Sequence, residues 1–220
     1  MPSLDHVLWI GGAQWAGKTS VAQALAMRCG LLHYSYDYHD ARSHLTKAAA
    51  DPTRYPSRAS IARGLEDGTF GERWVEWSGE QLADDTRQSF VERFKMVRDE
   101  IATLPGDPYV VAEGVGIRPE LVAPYLDDPR RAVFLVPSEE FRMQQVETLP
   151  RAGRLGAEIS DPERGQRHRL ERDRILADEV IWYAALAGLR VIPVDGSRTL
   201  NAIVDDIAEQ FAPFVPHWLY

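Results

Sequence analysis

The sequence contains a single cysteine, Cys29, among 220 residues. One cysteine cannot form an intramolecular disulfide, and its place at the end of an apolar helical pattern predicts a core residue rather than a nucleophile. No stretch approaches the ~18 consecutive apolar residues of a membrane span. The first residues, MPSLDH, also lack the basic and apolar regions of a signal peptide. These absences lead us to expect a cytoplasmic protein with no membrane partner.

Positive charge is in deficit, since the formal net charge is −8. Nucleic-acid phosphates and anionic membranes attract clustered cationic side chains, so an extended surface for either is not expected. The composition, 45% hydrophobic and 26% charged without a low-complexity tract, is typical of a folded domain. We therefore expect one domain over residues 1–220 that acts on a small molecule, with no nucleic-acid partner, as a monomer or homodimer.

Short apolar runs alternate with helical patterns along the chain. The runs lie at 6–12, 31–35, 109–114, 131–137 and 189–194, and the helical patterns at 18–29, 72–103, 118–126, 138–147, 168–187 and 199–211. Near-continuous apolar strands between helices indicate a parallel sheet that is covered on both faces. The pattern predicts a three-layer α/β fold with a five-stranded parallel sheet.

Two stretches interrupt this alternation. Residues 37–104 separate the second and third strands by far more than a crossover helix requires, and they carry apolar positions at helical spacing. They predict an inserted helical subdomain. Residues 149–169 are rich in glycine, proline and arginine and have almost no periodicity, which predicts a mobile surface loop.

The run WIGGAQWAGKTSVAQAL, residues 9–25, has the spacing GxxxxGKT between a predicted strand and a predicted helix. In such a loop, backbone N–H groups and the helix N-terminus surround a nucleotide's phosphates. Lys18 would reach the β- and γ-phosphates, and the Thr19 hydroxyl would ligate Mg²⁺. The motif thus predicts ATP and Mg²⁺ as cofactors. The predicted nucleotide-binding residues are Gly12, Ala13, Gln14, Trp15, Ala16, Gly17, Lys18, Thr19 and Ser20.

Other nucleotide-dependent classes are excluded by motifs that are missing. The sequence has neither the DxxG nor the NKxD pattern that a GTPase would need. The third strand ends in VVAEGVG, with one acid rather than the adjacent acids usual in motor or remodelling ATPases.

The GxxxxGKT loop, the acid just after the second strand, the helical insertion, the arginine-rich loop and the closing VDGSRT together resemble the P-loop small-molecule kinases. This group includes nucleoside, nucleotide, shikimate, gluconate and chloramphenicol phosphotransferases. The resemblance implies a P-loop NTPase fold and transfer of the γ-phosphate of ATP to a hydroxyl or phosphate of a small metabolite, preferably nucleoside- or nucleotide-like. It also implies that residues 37–104 bind the acceptor and that residues 149–169 form a lid.

Two other functions remain as alternatives. One is an ATP-binding sensor or regulatory protein without acceptor chemistry. The other is a kinase of a larger acceptor, such as an antibiotic or a nucleotide-sugar.

Asp37 and Asp40 follow the second strand directly, at the carboxyl edge where parallel sheets bind ligands. In the kinases that this chain resembles, an acid at this place holds the acceptor hydroxyl, and we assign that role to Asp37. The alternative is a helix N-cap, a position that also favours Asp. His39 is expected to be a surface or loop residue.

Glu113 ends the third strand, and Gly114 and Gly116 are expected to let a ligand approach the backbone. An acid at the end of an apolar strand is costly to bury, which favours a site role. We predict that Glu113 holds Mg²⁺ through water or binds an acceptor hydroxyl. The alternative is a structural ion pair with Lys18.

Arginines outnumber acids between residues 151 and 174, although the chain as a whole is negative. Guanidinium groups on a closing lid stabilise the negative charge of phosphoryl transfer. We assign this role to Arg154, Arg167 and Arg172, the last of which shares a helix face with Leu176 and Val180. The alternatives are a solvated charged helix for most of these arginines and a buried acid as partner for Arg172.

Two further segments have both a functional and a structural interpretation. The VDGSRT segment, residues 194–199, lies where related kinases pass a loop over adenine, so Ser197 and Arg198 are predicted to contact the base. The alternative is a turn followed by an N-cap. Trp74 and Trp77 are three residues apart on a predicted helix, where core packing competes with stacking on the acceptor.

Overall fold

The computed structural model describes residues 4–149 and 159–215. Its strands form one sheet in the order β2-β3-β1-β4-β5, and every neighbouring pair is parallel. The strands are β1 Val7–Gly12, β2 Leu32–Ser35, β3 Val110–Glu113, β4 Ala132–Pro137 and β5 Arg190–Val194. Each lies within a residue of its predicted bounds, so the prediction of an α/β chain with five parallel strands is confirmed.

Helices connect these strands. They are α1 Lys18–Cys29, α2 Tyr36–His39, α3 Leu45–Ala50, α4 Pro56–Glu66, α5 Arg73–Glu76, α6 Gly79–Ile101, α7 Pro119–Val122, α8 Glu139–Thr148, α9 Pro162–Ala187 and α10 Leu200–Phe211. A π-helical turn, Asp40–His44, joins α2 to α3. Among the residues described, no helix combines the length and apolar character needed to cross a membrane.

Apolar side chains of β1 alternate between two core layers. Val7 and Trp9 pack in one layer with residues of α6 and α9. Leu8 and Ile10 pack in the other with residues of α1 and α10. Every residue of β1, β3 and β4 is buried, which explains why these strands are apolar without alternation.

The strand order brings the β1–α1 loop to a point where the chain changes direction across the sheet. The connection through α1 runs from β1 past β3 to the edge strand β2, whereas the connection through α7 runs from β3 past β1 to β4. Ligands of open parallel sheets bind at the carboxyl edge beside such a switch point. The segments that follow β1, β2 and β3 therefore meet at one edge.

The prediction of one helix over residues 72–103 is wrong at one point, because the chain leaves the helical conformation between α5 and α6. Trp77 is extended, with φ −93° and ψ 140°. The Ser78 hydroxyl accepts a hydrogen bond from the Gln81 N–H (3.2 Å), and the Gln81 side chain accepts one from the Ser78 N–H (3.0 Å). This reciprocal capping box starts a new helix. Trp74 and Trp77 consequently do not share one helix face.

The prediction of a loop over residues 149–169 is wrong in its last part, because α9 begins at Pro162. Asp161 caps this helix by accepting the N–H of Arg164 at 2.9 Å. An Asp at the N-cap followed by Pro at the first helical position is a helix start signal that outweighed the missing periodicity. Residues 150–158 lie outside the described part of the chain.

The capping box at Ser78 provides a stability test. Ser78→Ala removes the oxygen that accepts the Gln81 N–H, and we expect the free energy of unfolding to fall by about 1 kcal/mol in urea denaturation. Ser78→Asp keeps an acceptor at the N-cap and should retain most of that stability. Equal losses in the two variants would contradict the capping role.

Candidate functional site

The β1–α1 loop bends back at the carboxyl edge of the sheet. Gly12 (φ +122°), Trp15 (φ +66°) and Gly17 (φ +76°) all take positive φ values. A Cβ at Gly12 would lie 2.1 Å from the Leu135 carbonyl oxygen, so only glycine fits there. Gly17 is the N-cap of α1, and no side chain caps that helix. The first N–H groups of α1 are therefore left for a ligand.

Lys18 is buried at the start of α1, with 7% of its surface exposed. Its Nζ donates a hydrogen bond to the carbonyl oxygen of Ala13 at 2.5 Å. Burial lowers the pKa of Lys18, while the carboxylates of Asp37, Glu113 and Asp173 act in the opposite direction. The ammonium group is thus held inside the loop by nearby negative charge, and an added anion would favour its charged form further.

Thr19 and Glu113 join α1 to the end of β3. The Thr19 hydroxyl donates to Glu113 Oε2 at 3.1 Å, and His33 Nε2 lies 3.5 Å from Glu113 Oε1. Burial favours a raised pKa for Glu113, but hydrogen bonds from His33, Ser35 and Thr19 and the charge of Lys18 outweigh it and lower that pKa. Glu113 is therefore an ionised carboxylate beside a hydroxyl.

These two oxygen donors fit the ligand preferences of Mg²⁺, which binds few protein groups and completes its shell with water and phosphate oxygens. Within residues 4–149 and 159–215 there is no group of three or more His, Cys, Asp or Glu side chains that could hold a metal ion by itself. Thr19 and Glu113 would thus need phosphate oxygens as further ligands. Glu113 is also among the charges that act on Lys18, which supports the structural alternative, and its Mg²⁺ role stays a prediction.

Two cavities open at this edge, and they share Gln14 and Asp37. The loop cavity, of about 220 Å³, is lined by Gln14, Trp15, Gly17, Lys18, Thr19, Ser20, Asp37 and Glu113. The helical cavity, of about 180 Å³, lies among α4, α5, α6 and α9. Its lining includes Gln14, Asp37, Arg58, Phe70, Arg73, Trp74, Asp85, Ser89, Phe90, Arg93 and Arg172.

Asp37 stands at the junction of the two cavities, with 64% of its side chain exposed. Its Oδ1 lies 3.5 Å from Nη2 of Arg93. The N-cap of α2 is Ser35, and Asp37 is inside the helix, so the structure does not support the N-cap alternative. Its position suits a group that contacts a ligand in either cavity.

Asp40, which the sequence analysis placed beside Asp37, is instead part of a buried ion cluster. Its carboxylate lies 2.5 Å from Nη2 of Arg58 and 2.9 Å from Nε of Arg93. The guanidinium of Arg93 also lies 3.7 Å from the ring centre of Tyr36. Arg58 and Arg93 reach this place from α4 and α6, a convergence that no local sequence pattern reveals.

The expectation that Gly114 and Gly116 make room for a ligand is wrong, because the space beside them is filled by Tyr36. A Cβ at Gly114 would lie 2.3 Å from the Tyr36 Cβ, and one at Gly116 would lie 1.9 Å from the Tyr36 hydroxyl. These glycines therefore serve the packing of Tyr36 against the segment that follows β3.

The predicted lid arginines have different environments. Arg172 lines the helical cavity, with its guanidinium 4.7 Å from the ring centre of Trp74. Its Nε also donates to buried Asp173 at 2.9 Å, so the predicted alternative of a buried acid is present as well. Arg167 is exposed, and Arg154 lies outside the described residues.

Arg169 is a candidate that the sequence analysis missed. Its guanidinium lies 5.2 Å from the ring centre of Trp15 in the β1–α1 loop. Position 169 is one turn before Arg172 on the same face of α9, so extending the helical periodicity toward the N-terminus would have identified it. The helix thus places one arginine in the lining of the helical cavity and another beside Trp15, which lines the loop cavity.

Ser197 and Arg198 are not among the residues that line the two cavities. The Ser197 N–H and hydroxyl donate to Asp195 at 2.9 and 2.6 Å. Arg198 donates to the Ala202 carbonyl oxygen at 2.7 Å, while Thr199 caps α10. The turn and N-cap of the alternative interpretation are both present, and contact with a nucleotide base stays a prediction.

The two tryptophans of the insertion differ in position. Trp74 is half-buried and lines the helical cavity. Trp77 lies outside that cavity and stacks under the Arg73 guanidinium, which is 4.1 Å from its ring centre. Neither is a core residue, and Trp74 alone is placed to touch a ligand in the helical cavity.

His39 belongs to a second polar cluster, centred on Glu100 of α6. Glu100 accepts hydrogen bonds from the Tyr34 hydroxyl (2.6 Å) and from Lys47, and it contacts His44 Nε2 (3.0 Å) and His39 Nδ1 (3.3 Å). Burial opposes ionisation, but the hydrogen bonds from Lys47, Tyr34 and His44 outweigh it and lower the pKa of Glu100 to about 2. His39 is therefore held away from Asp37.

A comparison with protein-family models found no match, and a comparison with curated proteins found no match either. The function has to be inferred from the geometry of these side chains.

The Glu100 cluster predicts a pH dependence of stability. Because the pKa of Glu100 is about 2 in the folded chain and ordinarily 4.5, its contribution is full above pH 4.5 and is lost as the pH falls toward 2. Glu100→Gln should lower the free energy of unfolding at pH 7 by about 2 kcal/mol. That deficit should shrink at pH 3 in urea denaturation. Glu209→Gln, at an exposed position of α10, is the control and should change neither value.

A deficit that is the same at pH 7 and pH 3 would contradict the electrostatic role of Glu100. It would indicate that Gln disturbs the packing of the cluster instead.

Proposed function

We propose that this protein is an ATP- and Mg²⁺-dependent phosphotransferase that moves the γ-phosphate to a hydroxyl or phosphate of a small metabolite. One observation carries the proposal: the loop cavity and the helical cavity meet at Asp37. One cavity has the groups that bind phosphate, the other is a separate space for a second substrate, and a carboxylate stands between them. A phosphate-binding protein without acceptor chemistry has no need of the second cavity.

The nucleotide side of the proposal rests on the β1–α1 loop. The uncapped N-terminus of α1 and the buried Lys18 supply positive charge to the β- and γ-phosphates. Thr19 and Glu113 would hold Mg²⁺, which neutralises phosphate charge when bound. The central position of β1 in a parallel sheet supports a P-loop NTPase fold for this arrangement.

The transfer step follows from the position of Asp37. An acceptor hydroxyl in the helical cavity hydrogen-bonds to the Asp37 carboxylate, which orients its oxygen toward the γ-phosphorus. A bond forms between that oxygen and phosphorus as the bond from phosphorus to the β–γ bridging oxygen breaks, and ADP leaves. The hydroxyl proton passes to Asp37 and then to water, which reaches this half-exposed carboxylate.

Arginines of α9 complete the proposed site. Arg172 at the helical cavity and Arg169 above Trp15 place positive charge where the transferred group carries negative charge. In this proposal residues 37–104 form the acceptor-binding part of the single domain. A lid over residues 149–169 stays a prediction, because residues 150–158 lie outside the described part of the chain. A cytoplasmic location and a small-molecule partner belong to the same proposal.

Nucleotide binding is the first test, measured by isothermal titration calorimetry with Mg·ATP. The wild type should bind, and Lys18→Ala should weaken binding at least about tenfold, because a charge-assisted contact to phosphate is lost. Lys95→Ala replaces an exposed lysine of α6 and should bind like the wild type. Absence of Mg²⁺-dependent binding by the wild type would refute the proposal.

Asp37 is tested by acceptor-stimulated release of ADP in a screen of nucleosides, nucleotides, sugars and hydroxylated antibiotics. With an active acceptor, Asp37→Asn should lower kcat at least about 100-fold and change the Kd for Mg·ATP far less, because Glu113 and Asp173 still act on Lys18. Asp205→Asn, at an exposed position of α10, is the matched control. ATP binding that no acceptor converts to ADP release would favour the sensor alternative.

A further inference from the structure

We infer that the helical cavity takes a small organic anion, whose carboxylate or phosphate group is bound by Arg58 and Arg73. That this anion is the phosphate acceptor rests on the proposed function. The anion site itself rests only on the helical cavity and its guanidinium groups.

Arginines dominate the polar lining of the helical cavity. Arg58, Arg73, Arg93 and Arg172 line it, together with the carboxylates Asp37 and Asp85. Two carboxylates outside the cavity lining pair with these arginines. Asp40 pairs with Arg58 and Arg93, and Asp173 pairs with Arg172. An added anion can therefore be bound only by guanidinium N–H groups that these carboxylates leave unused.

Arg58 has a donor without a partner. Its side chain is 7% exposed, and its Nε is buried with no hydrogen-bond partner among the described residues. It shares the one carboxylate of Asp40 with Arg93, while Glu92 accepts the backbone N–H groups at the start of α4. Burial lowers the pKa of Arg58 in spite of Asp40, and repulsion from Arg93 adds to that effect. Its charge is therefore incompletely compensated.

Arg73 has a second unused donor. Its Nη2 lies 3.3 Å from Oδ1 of Asp85, but its Nη1 is buried and has no hydrogen-bond partner in the part of the chain that is described. Its guanidinium carbon also lies 4.1 Å from the ring centre of Trp77. Guanidinium N–H groups only donate, so a ligand at this place has to present acceptor oxygens, and a charged oxyanion binds best.

The dimensions of the helical cavity set the size of the anion. On α6, Asp85, Ser89 and Arg93 follow one another at helical spacing over about 12 Å. The Arg93 end meets Asp37, and the Asp85 end meets Arg73. An acceptor in this cavity has its anionic group between Arg73 and Arg58 and its hydroxyl toward Asp37.

The volume favours a single ring or a short chain over a nucleotide. The helical cavity measures about 180 Å³, and a cavity of about 150 Å³ holds one benzene molecule. Phe70, Trp74 and Phe90 supply aromatic walls beside the polar groups. The inferred acceptor is thus a small hydroxylated acid or phosphate monoester. It differs from the nucleoside- or nucleotide-like acceptor that the resemblance implied.

Benzoate and benzamide are matched probes for this site, since they share one shape and differ in charge. In calorimetry without nucleotide, the wild type should bind benzoate, and benzamide should bind at least about tenfold more weakly. Arg73→Gln should weaken benzoate binding at least about tenfold. Arg63→Gln, at an exposed position of α4, should leave it unchanged. Equal affinity for the two probes, no benzoate binding, or full binding by Arg73→Gln would overturn the inference.

Two further measurements keep the result interpretable. Arg58 is tied into a buried ion cluster, so its role is tested with Arg58→Lys, which keeps the charge but loses the guanidinium geometry and should weaken benzoate binding. Phenyl phosphate replaces benzoate to distinguish a phosphate from a carboxylate preference. It is measured in Lys18→Ala, so that binding in the loop cavity does not contribute. Unchanged benzoate binding by Arg58→Lys would remove Arg58 from the site.

Mg·ATP titrations of the same variants separate this inference from the proposed function. Arg73→Gln should bind Mg·ATP like the wild type, because Arg73 does not line the loop cavity. Benzoate binding without any ATP binding would leave the anion site standing and refute the kinase. ATP binding without benzoate binding would refute the anion site and leave the proposed kinase standing.

Discussion

The buried ammonium group of Lys18 is the constraint on which the rest of the site depends. Burial disfavours its charge and lowers its pKa, and the surrounding carboxylates of Asp37, Glu113 and Asp173 offset only part of that cost. These three acids come from the segment after β2, from the end of β3 and from α9, so the sheet order has to bring distant parts of the chain to one lysine. A phosphate anion at the loop would add to the negative charge around Lys18 and favour its charged form further.

The strands could be predicted from sequence because β1, β3 and β4 are buried on both faces and therefore apolar throughout. The loop residues could be predicted because their glycines and Lys18 are close in sequence. Arg58 and Arg93 could not, because they meet at Asp40 only after α4 and α6 pack together. Local periodicity also gives no account of the break at Ser78, where a capping box starts a new helix in mid-pattern.

Tyr36 connects the sheet edge to the helical insertion. Its ring fills the space beside Gly114 and Gly116. The Arg93 guanidinium lies 3.7 Å from the centre of the same ring. Since Tyr36 immediately precedes Asp37, packing that fixes the ring also fixes the backbone from which the Asp37 carboxylate projects. The position of the proposed base is thereby set by the core rather than by a solvent-exposed loop, although the carboxylate itself stays accessible.

A single helix, α9, lines the helical cavity and contacts Trp15 of the loop cavity. Arg169 stacks over Trp15 at the loop cavity, and one turn later Arg172 stacks over Trp74 at the helical cavity. Next to Arg172 on the same helix, buried Asp173 acts on the charge of Lys18. Any displacement of α9 changes the environment of both aromatic rings and of the lysine together. In the proposed function both cavities are occupied at once, and α9 is the element that the aromatic rings beside both cavities have in common.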